Sequence, residues 1–213
     1  MAESPRSIAR LSLYRRLPAE LQAEDPEADS VYSHELARRA GVSPAQVRRD
    51  IMALGYSGTP NTGYQVEALT ASIAAHIDPA TPQQLALVGV GNLGTALLQY
   101  FRGRQSKLHM AATFDTDPEK VGRTIAGCRC HPVSAIGEVV PAEGITVGII
   151  TVPAPHAQET ADRLVQAGVG GLLNFAPLHL RVPDQVYVEH MDIAIRLETV
   201  AFFALRGRQS PRG

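Results

Sequence analysis

The sequence predicts an α/β protein in which an N-terminal winged helix-turn-helix domain precedes a C-terminal Rossmann domain, a parallel sheet followed by a closing helix. Three observations predict it. Two short helical patterns meet at a tight turn between residues 33 and 54. After DPATPQQ at 78–84 the pattern changes, and short aliphatic runs alternate with helical stretches. At that change, LALVGVGNLGTALLQY (85–100) sets Gly89, Gly91 and Gly94 in the spacing G-x-G-x-x-G, between an apolar run and a helix-forming one. The expected domains are 1–78, 79–190 and 191–213.

The chain has 213 residues, 45% hydrophobic and 19% charged, with a net charge of −1. That suits one or two folded domains. With no Trp and 5% aromatic residues, the core must be mostly aliphatic. Runs such as ITVGIIT are too short to span a bilayer, and MAESPRSIAR lacks the apolar core of a signal peptide. The expected location is the cytoplasm. Cys128 and Cys130 sit in CRC, too close for an ordinary disulfide and without the further ligands zinc needs. They are read as two thiols in a loop, with no role. The seven histidines show no metal spacing, so no metal site is expected.

Taken in order, SIARLSLYRRL (7–17) has apolar residues at helical spacing, and Pro18 disturbs the pattern. LQAEDPEADS (21–30) reads as an acidic loop. SHELARRAG (33–41) is a helix ended by Gly41, and SPAQVRRDIMAL (43–54) is a second helix. GYSGTPNTGYQV is rich in turn residues, and VEALTASIAAHI (66–77) is a connecting helix with Val66, Leu69, Ile73 and Ile77 on one side.

The segment 33–54 has helix-turn-helix form. Ser43 is placed to cap the second helix, with Pro44 at its first position and Gln46 completing a capping box. Val47, Ile51 and Leu54 share the inner face. Arg49 and Ala45 point away from it, with Ser43, Gln46 and Arg48 near the N-terminal edge. A helix that enters the major groove presents such residues from its N-terminal half, where Arg pairs with guanine and Gln with adenine. The glycine-rich stretch with Gly58 and Thr59 is the expected wing. A plain αα-hairpin satisfies the same pattern. Residues 1–80 hold eight Arg against ten Asp and Glu, so local placement must create any positive face.

In the second part, apolar runs alternate with helical ones: LALVGV and NLGTALLQYF, KLHMAATFD and SAIGEVV, ITVGIIT and HAQETADRLVQAG, then GGLLNF and VYVEH. This argues for a parallel sheet covered on both faces. Gly89 permits the tight turn, Gly91 lets the backbone approach a pyrophosphate, and Gly94 lets helix and strand pack closely. The neighbouring Val90, Asn92 and Leu93 share that loop, whose helix offers free N–H groups to phosphates. Asp115, at the end of the next strand, suits the ribose 2′-hydroxyl and repels a 2′-phosphate, which favours NAD(H) over NADP; the alternative is that it caps the next turn. Thr151, Val152 and Pro153, with Asn174, Phe175, Ala176 and Pro177, follow strand ends and should surround the nicotinamide.

A dehydrogenase also needs a substrate region and an acid–base group. After VYVEH only 191–213 remain, mostly one apolar helix. His156 is the best-placed candidate base, although it also suits the start of a helix. A DNA-reading unit joined to a cofactor site without a substrate site suggests a sensor. Two alternatives stay open: an NAD-dependent dehydrogenase with a helical oligomerisation module, and an adaptor that binds NAD for stability alone.

Along nearly its whole length the sequence resembles the bacterial redox-sensing repressors of the Rex family. The resemblance is carried by RLSLYRR, QVRRDI, GYSG…TGY, GVGNLGTAL, FDTDPEKVG, TVP…AQ, LLNFAP and VP…V before the last helix. It implies a non-enzymatic homodimer that binds inverted-repeat operator DNA and leaves it when NADH, as a regulatory ligand, binds. It further implies a C-terminal helix exchanged between protomers, which suits the stripe Ile193, Leu197, Val200 and Phe203. By the same resemblance Tyr100 lies near the nicotinamide, Arg16 of the DNA-binding domain acts with it, and Asp192 comes from the partner; together they relay the cofactor signal. The wing departs from the family pattern, since Pro60 and Asn61 stand where a basic residue and a glycine are usual.

Overall fold

The computed structural model describes residues 4–24, 29–59, 62–102 and 107–207. The chain divides into two compact units, 1–80 and 81–213.

The first unit comprises α1 (Pro5–Glu24), β1 (Ser30–Val31), α2 (Ser33–Ala40), α3 (Pro44–Met52), β2 (Tyr64–Gln65) and α4 (Val66–Ile77). Its core gathers Leu11, Tyr14 and Leu17 of α1, Leu36 of α2, Val47 and Ile51 of α3, and Leu69 and Ile73 of α4, all buried. α1 runs through Pro18 to Glu24, so 21–24 are helical rather than loop. Pro18 forfeits one main-chain bond, but the buried face of α1 against α4 outweighs that loss. α2 stops at Gly41, whose φ of 66° is left-handed and lets Val42 N–H return to the Ala37 carbonyl. β1 and β2 pair antiparallel, and the Thr59–Gly63 bridge narrows the loop between α3 and β2. This loop has the form of a wing. Pro60 and Asn61, where the wing departs from the family pattern, lie outside the described residues.

The second unit is a seven-stranded sheet formed by β3 (Gln83–Val88), β4 (Leu108–Asp115), β5 (Thr124–Ile125), β6 (Cys128–Pro132), β7 (Ile145–Ile150), β8 (Gly171–Asn174) and β9 (Tyr187–His190), in the order β5-β6-β4-β3-β7-β8-β9. All neighbours are parallel except β5 and β6. Period-two alternation sends Leu85 and Leu87 to one face, where Leu98 of α5 (Asn92–Phe101) packs. Ala86 and Val88 go to the other face, against α6 (Ile136–Ala142) and α7 (Ala154–Gln166). β4 and β7 flank β3, so the winding reverses there and a crevice opens beyond the carboxyl end of β3.

Cys128 and Cys130 are not in a loop. They are buried in β6, a strand too short and too polar to stand out as an aliphatic run. The last helix, α8 (Ile193–Gly207), starts at Asp192, whose carboxylate accepts from Ala194 N–H (2.9 Å) and Ile195 N–H (3.2 Å). Its side chains Ile193, Ile195, Leu197, Val200, Phe202, Phe203 and Leu205 are all at least half exposed.

Candidate functional site

The glycine loop joins β3 to α5 at the crevice. Gly89 has φ 98°, a conformation that L side chains rarely adopt, and a Cβ there would lie 2.9 Å from the Thr151 carbonyl carbon. A Cβ on Gly94 would lie 2.2 Å from the Gly89 carbonyl oxygen, so the helix must pack there without a side chain. At Gly91 a Cβ would meet nothing within 4 Å, which leaves open space above the loop. The first bond of α5 runs from Thr95 N–H to the Gly91 carbonyl (2.9 Å). The N–H groups of Asn92, Leu93 and Gly94 therefore precede the helix's own bonds and point out of its positive end.

Thr151 braces the turn. Its hydroxyl donates to the carbonyls of Gly89 (2.7 Å) and Val88 (3.0 Å), leaving its lone pairs for a ligand. Asp115 holds the loop from the other side, accepting from Val90 N–H (2.7 Å) and Asp117 N–H (2.9 Å), with Lys120 Nζ at 3.3 Å. Burial pushes the Asp115 pKa up, but these N–H bonds and the ammonium outweigh it and hold the group below the ordinary carboxylate value. Asp115 thus caps the turn. Three of its four acceptor sites are taken, and one remains for a ribose hydroxyl.

A cavity of about 800 Å³ opens over this loop, a size that suits a nucleotide ligand. Gly89, Gly91, Leu93, Asp115, Thr151, Val152, Pro153, Phe175, Ala176 and Pro177, all singled out in the sequence, line it. Val90, Asn92, Gly94, Tyr100, Asn174 and Asp192 do not. Val90 and Gly94 are buried beneath the loop, and Tyr100 sits half exposed on α5, with its ring edge-on to Phe101. Asn174 is fully buried and shapes the wall from behind: its Oδ1 accepts from Ala176 N–H (3.0 Å) and its Nδ2 donates to the carbonyls of Ala176 (3.1 Å) and Leu178 (2.8 Å).

Sequence reasoning missed Thr116 and Lys120 after β4, Val133 and Ser134 before α6, and the α7 residues Glu159, Thr160 and Arg163. His156 also borders the cavity, in the first turn of α7. Only Lys120 carried a local signal, five residues beyond Asp115; the others converge through the topology. Among the described residues no group of three His, Cys, Asp or Glu could hold a metal, and no helix is long and apolar enough to cross a membrane.

In the first unit, Ser43 caps α3 by accepting from Gln46 N–H (3.2 Å). The capping box is only half made, because the Gln46 side chain turns to Asp50 (2.8 Å) instead of back to Ser43. Ser43, Ala45, Arg48 and Arg49 are exposed, and Gln46 is half-buried. Arg48 donates to the Ser33 hydroxyl (3.1 Å) and Arg49 to Gln46 Oε1 (2.8 Å). Thr59 is exposed on the wing. Gly58 is half-buried, where a Cβ would stand 2.5 Å from the Gly63 oxygen. Arg16 is exposed on α1.

Fold and cavity together define a class: proteins that join a winged helix-turn-helix unit to a Rossmann-type nucleotide-binding unit. Comparison with known proteins narrows it. Residues 80–178 match the family model described as CoA binding domain, and residues 4–51 match the one described as putative DNA-binding protein N-terminus. The chain is 40% identical over 197 residues to the redox-sensing transcriptional repressor Rex of Syntrophobacter fumaroxidans, covering 92% of this chain and 93% of the relative. It is also 40% identical over 196 residues to that of Desulfitobacterium hafniense, covering 92% of each. Among solved structures it is similar to RSP, a Rex-family repressor, with a TM-score of 0.84, 30% identity and coverage of 98% of this chain and 96% of that one. RSP in complex with β-NAD⁺ and operator DNA matches with a TM-score of 0.84 and 31% identity over 99% of this chain and 100% of that one. RSP in complex with β-NADH matches with a TM-score of 0.84 and 30% identity over 98% of this chain and 97% of that one. The chain belongs to the Rex family of redox-sensing transcriptional repressors, which sets aside the dehydrogenase reading.

Proposed function

We propose that this chain is a cytoplasmic homodimer that represses transcription from inverted-repeat operators and lets go when NADH fills the cavity over the glycine loop. The observation that carries the reading is that loop: Gly91 leaves open space beside a helix end that presents N–H groups, and Asp115 lines the same cavity with an acceptor site left for a ribose hydroxyl. The complexes of RSP with β-NAD⁺ and operator DNA, and with β-NADH, support it. One of the matching family models is named for coenzyme A, whose ribose carries a 3′-phosphate. The ionised Asp115 disfavours that group as it disfavours the 2′-phosphate of NADP. In our reading NAD(H) contacts the cavity-lining residues and the free main-chain N–H groups of Asn92 and Gly94, while Val90 and Asn174 support the wall.

On DNA, Ser43, Ala45, Gln46, Arg48 and Arg49 of the α3 region enter the major groove, and the wing brings Gly58 and the exposed Thr59 side chain near phosphate. Residues 191–213 act as a dimerisation segment apart from domains 1–78 and 79–190. Arg16, Tyr100 and Asp192 carry the cofactor signal. NADH must prefer the state that cannot bind DNA, since equal binding to both states shifts nothing. A hundredfold loss of operator affinity corresponds to about 2.7 kcal/mol of coupling. NADH has a neutral nicotinamide and NAD⁺ a charged one, so the apolar wall at Phe175 favours NADH through desolvation.

Fluorescence anisotropy of labelled inverted-repeat DNA tests this, with NADH and NAD⁺ titrated separately at fixed salt. Release by NADH alone is the expected outcome. DNA binding indifferent to both nucleotides would remove the sensor reading.

A further inference from the structure

We infer that Asp50 is a positioning residue for DNA sequence recognition: it fixes which way round the Gln46 side-chain amide faces, and so which base pair α3 accepts. The inference rests on the proposal that α3 enters the major groove.

Four donors converge on the Asp50 carboxylate. Arg10 grips it with two prongs, Nε to Oδ2 at 2.7 Å and Nη2 to Oδ1 at 2.8 Å. Tyr14 Oη donates to Oδ2 at 3.0 Å, and Gln46 Nε2 donates to Oδ1 at 2.8 Å. Every acceptor site of the carboxylate is filled. Asp50 is 8% exposed, so it has neither the reach nor the capacity to touch DNA. Its charge is offset by Arg10, which suits an acid beneath a helix that must approach phosphates.

The arrangement instead determines Gln46. The residues of α1 that hold Asp50, Arg10 and Tyr14, are four apart and share a face. On α3, Gln46 and Asp50 are also four apart, and Arg49 is three from Gln46. The amide therefore has its NH₂ turned to the carboxylate and its oxygen to the Arg49 guanidinium (2.8 Å). One N–H and one lone pair are left over. That is the donor–acceptor pair an adenine edge needs. A lone surface glutamine presents its amide either way round; here rotating it by half a turn would set oxygen against carboxylate and NH₂ against guanidinium.

Asp50→Asn gives the cleanest test. Either way round, the new amide sets its NH₂ against one Arg10 prong and no longer offers Gln46 a charged acceptor, so the Gln46 amide loses its fixed orientation. Wild type, Asp50→Asn, Gln46→Met and the double variant are each used to select from a pool of duplexes randomised through the centre, and the enriched duplexes are then measured singly. The expected result is a wild-type preference at one base pair in each half-site. Asp50→Asn and Gln46→Met should each lose that preference by about tenfold or more, and the double variant should lose no more than Gln46→Met alone. Should Asp50→Asn fail to fold by circular dichroism, Arg10→Lys replaces it; this variant keeps the charge, loses the two-pronged grip and should relax the same base pair. A uniform drop in affinity with base preference intact would overturn the inference, since a merely structural residue behaves that way. A wild-type pool that enriches no sequence would overturn the DNA reading along with it.

Discussion

Gly94 sits so close to Gly89 that a Cβ on the former would stand 2.2 Å from the carbonyl oxygen of the latter, whereas a Cβ on Gly91, between them, meets nothing. One motif thus contains a packing glycine and a ligand glycine. Gly94→Ala should lower stability by about 1–3 kcal/mol, the usual cost of overpacking, since backbone must move. Gly91→Ala should change stability by no more than about 0.5 kcal/mol, yet abolish NADH binding, because the methyl group occupies the pyrophosphate's approach. Thermal melts paired with NADH titration check both. Equal destabilisation by the two substitutions would count against the division.

The division is only partly legible in the sequence, as is the rest of the site. The glycine loop, Asp115 and the strand–helix alternation can be read because each is a local pattern with its own period. The β6 strand cannot, because CRCHP is short and has no aliphatic run. Ser134, Glu159 and Arg163 reach the cavity only because the winding reverses at β3, and no spacing announces that. Asn174 and Gln46 show a third limit. Their residue types suit ligand contact, but Asn174 bonds to main-chain groups two and four residues on, and Gln46 bonds to Arg49 and Asp50 on its own helix, pairings that several side chains at such spacings could equally make.

The redox response should not pass through thiols. Burial pushes the Cys128 thiol up to about 11, with further contributions from Cys130 and Glu143, and burial raises Cys130 as well. A thiolate is the reactive form, so both should be inert at neutral pH. Iodoacetamide should label neither in the folded protein and both after denaturation, and Cys128→Ala should keep the NADH response. Rapid labelling of native protein would reverse this conclusion.

His190 links acidity to the cavity wall. Its Nδ1 lies 3.2 Å from Asn174 Nδ2, and its ring stands 4.5 Å, centre to centre, from that of His179. Burial lowers its pKa below the ordinary 6.5, His179 lowers it further, and Glu189, itself bonded to Tyr187, opposes them. The folded state therefore binds fewer protons than the unfolded state just below the ordinary histidine value. Stability should fall as pH drops through that value toward the lowered one. Protonated Nδ1 would also face the Asn174 NH₂, so NADH affinity should weaken across the same range. His190→Asn should flatten both profiles, and a parent melting temperature that rises on acidification would contradict the sign.

The C-terminal helix supplies the last prediction. Leu197, Val200 and Phe203 are 63%, 64% and 63% exposed, and Ile195 and Phe202 add apolar surface beside them. Isolated apolar residues are ordinary on a protein surface, but a whole helix of them implies a covering partner. The proposed cover is a second copy of the chain. A charge buried there without a counterion costs several kcal/mol, so Leu197→Asp should weaken the dimer by about a hundredfold or more. Its effect on DNA follows from geometry. Two α3 helices must reach half-sites about one turn apart, and a lone protomer has only one to offer. Operator affinity should therefore drop in step with dimerisation, while NADH still binds the cavity, none of whose lining residues lies on α8. Sedimentation of the variant, set beside its anisotropy curve, checks the pairing. A variant that sediments as a monomer and still grips the operator with parental affinity would break the link between α8 and DNA recognition.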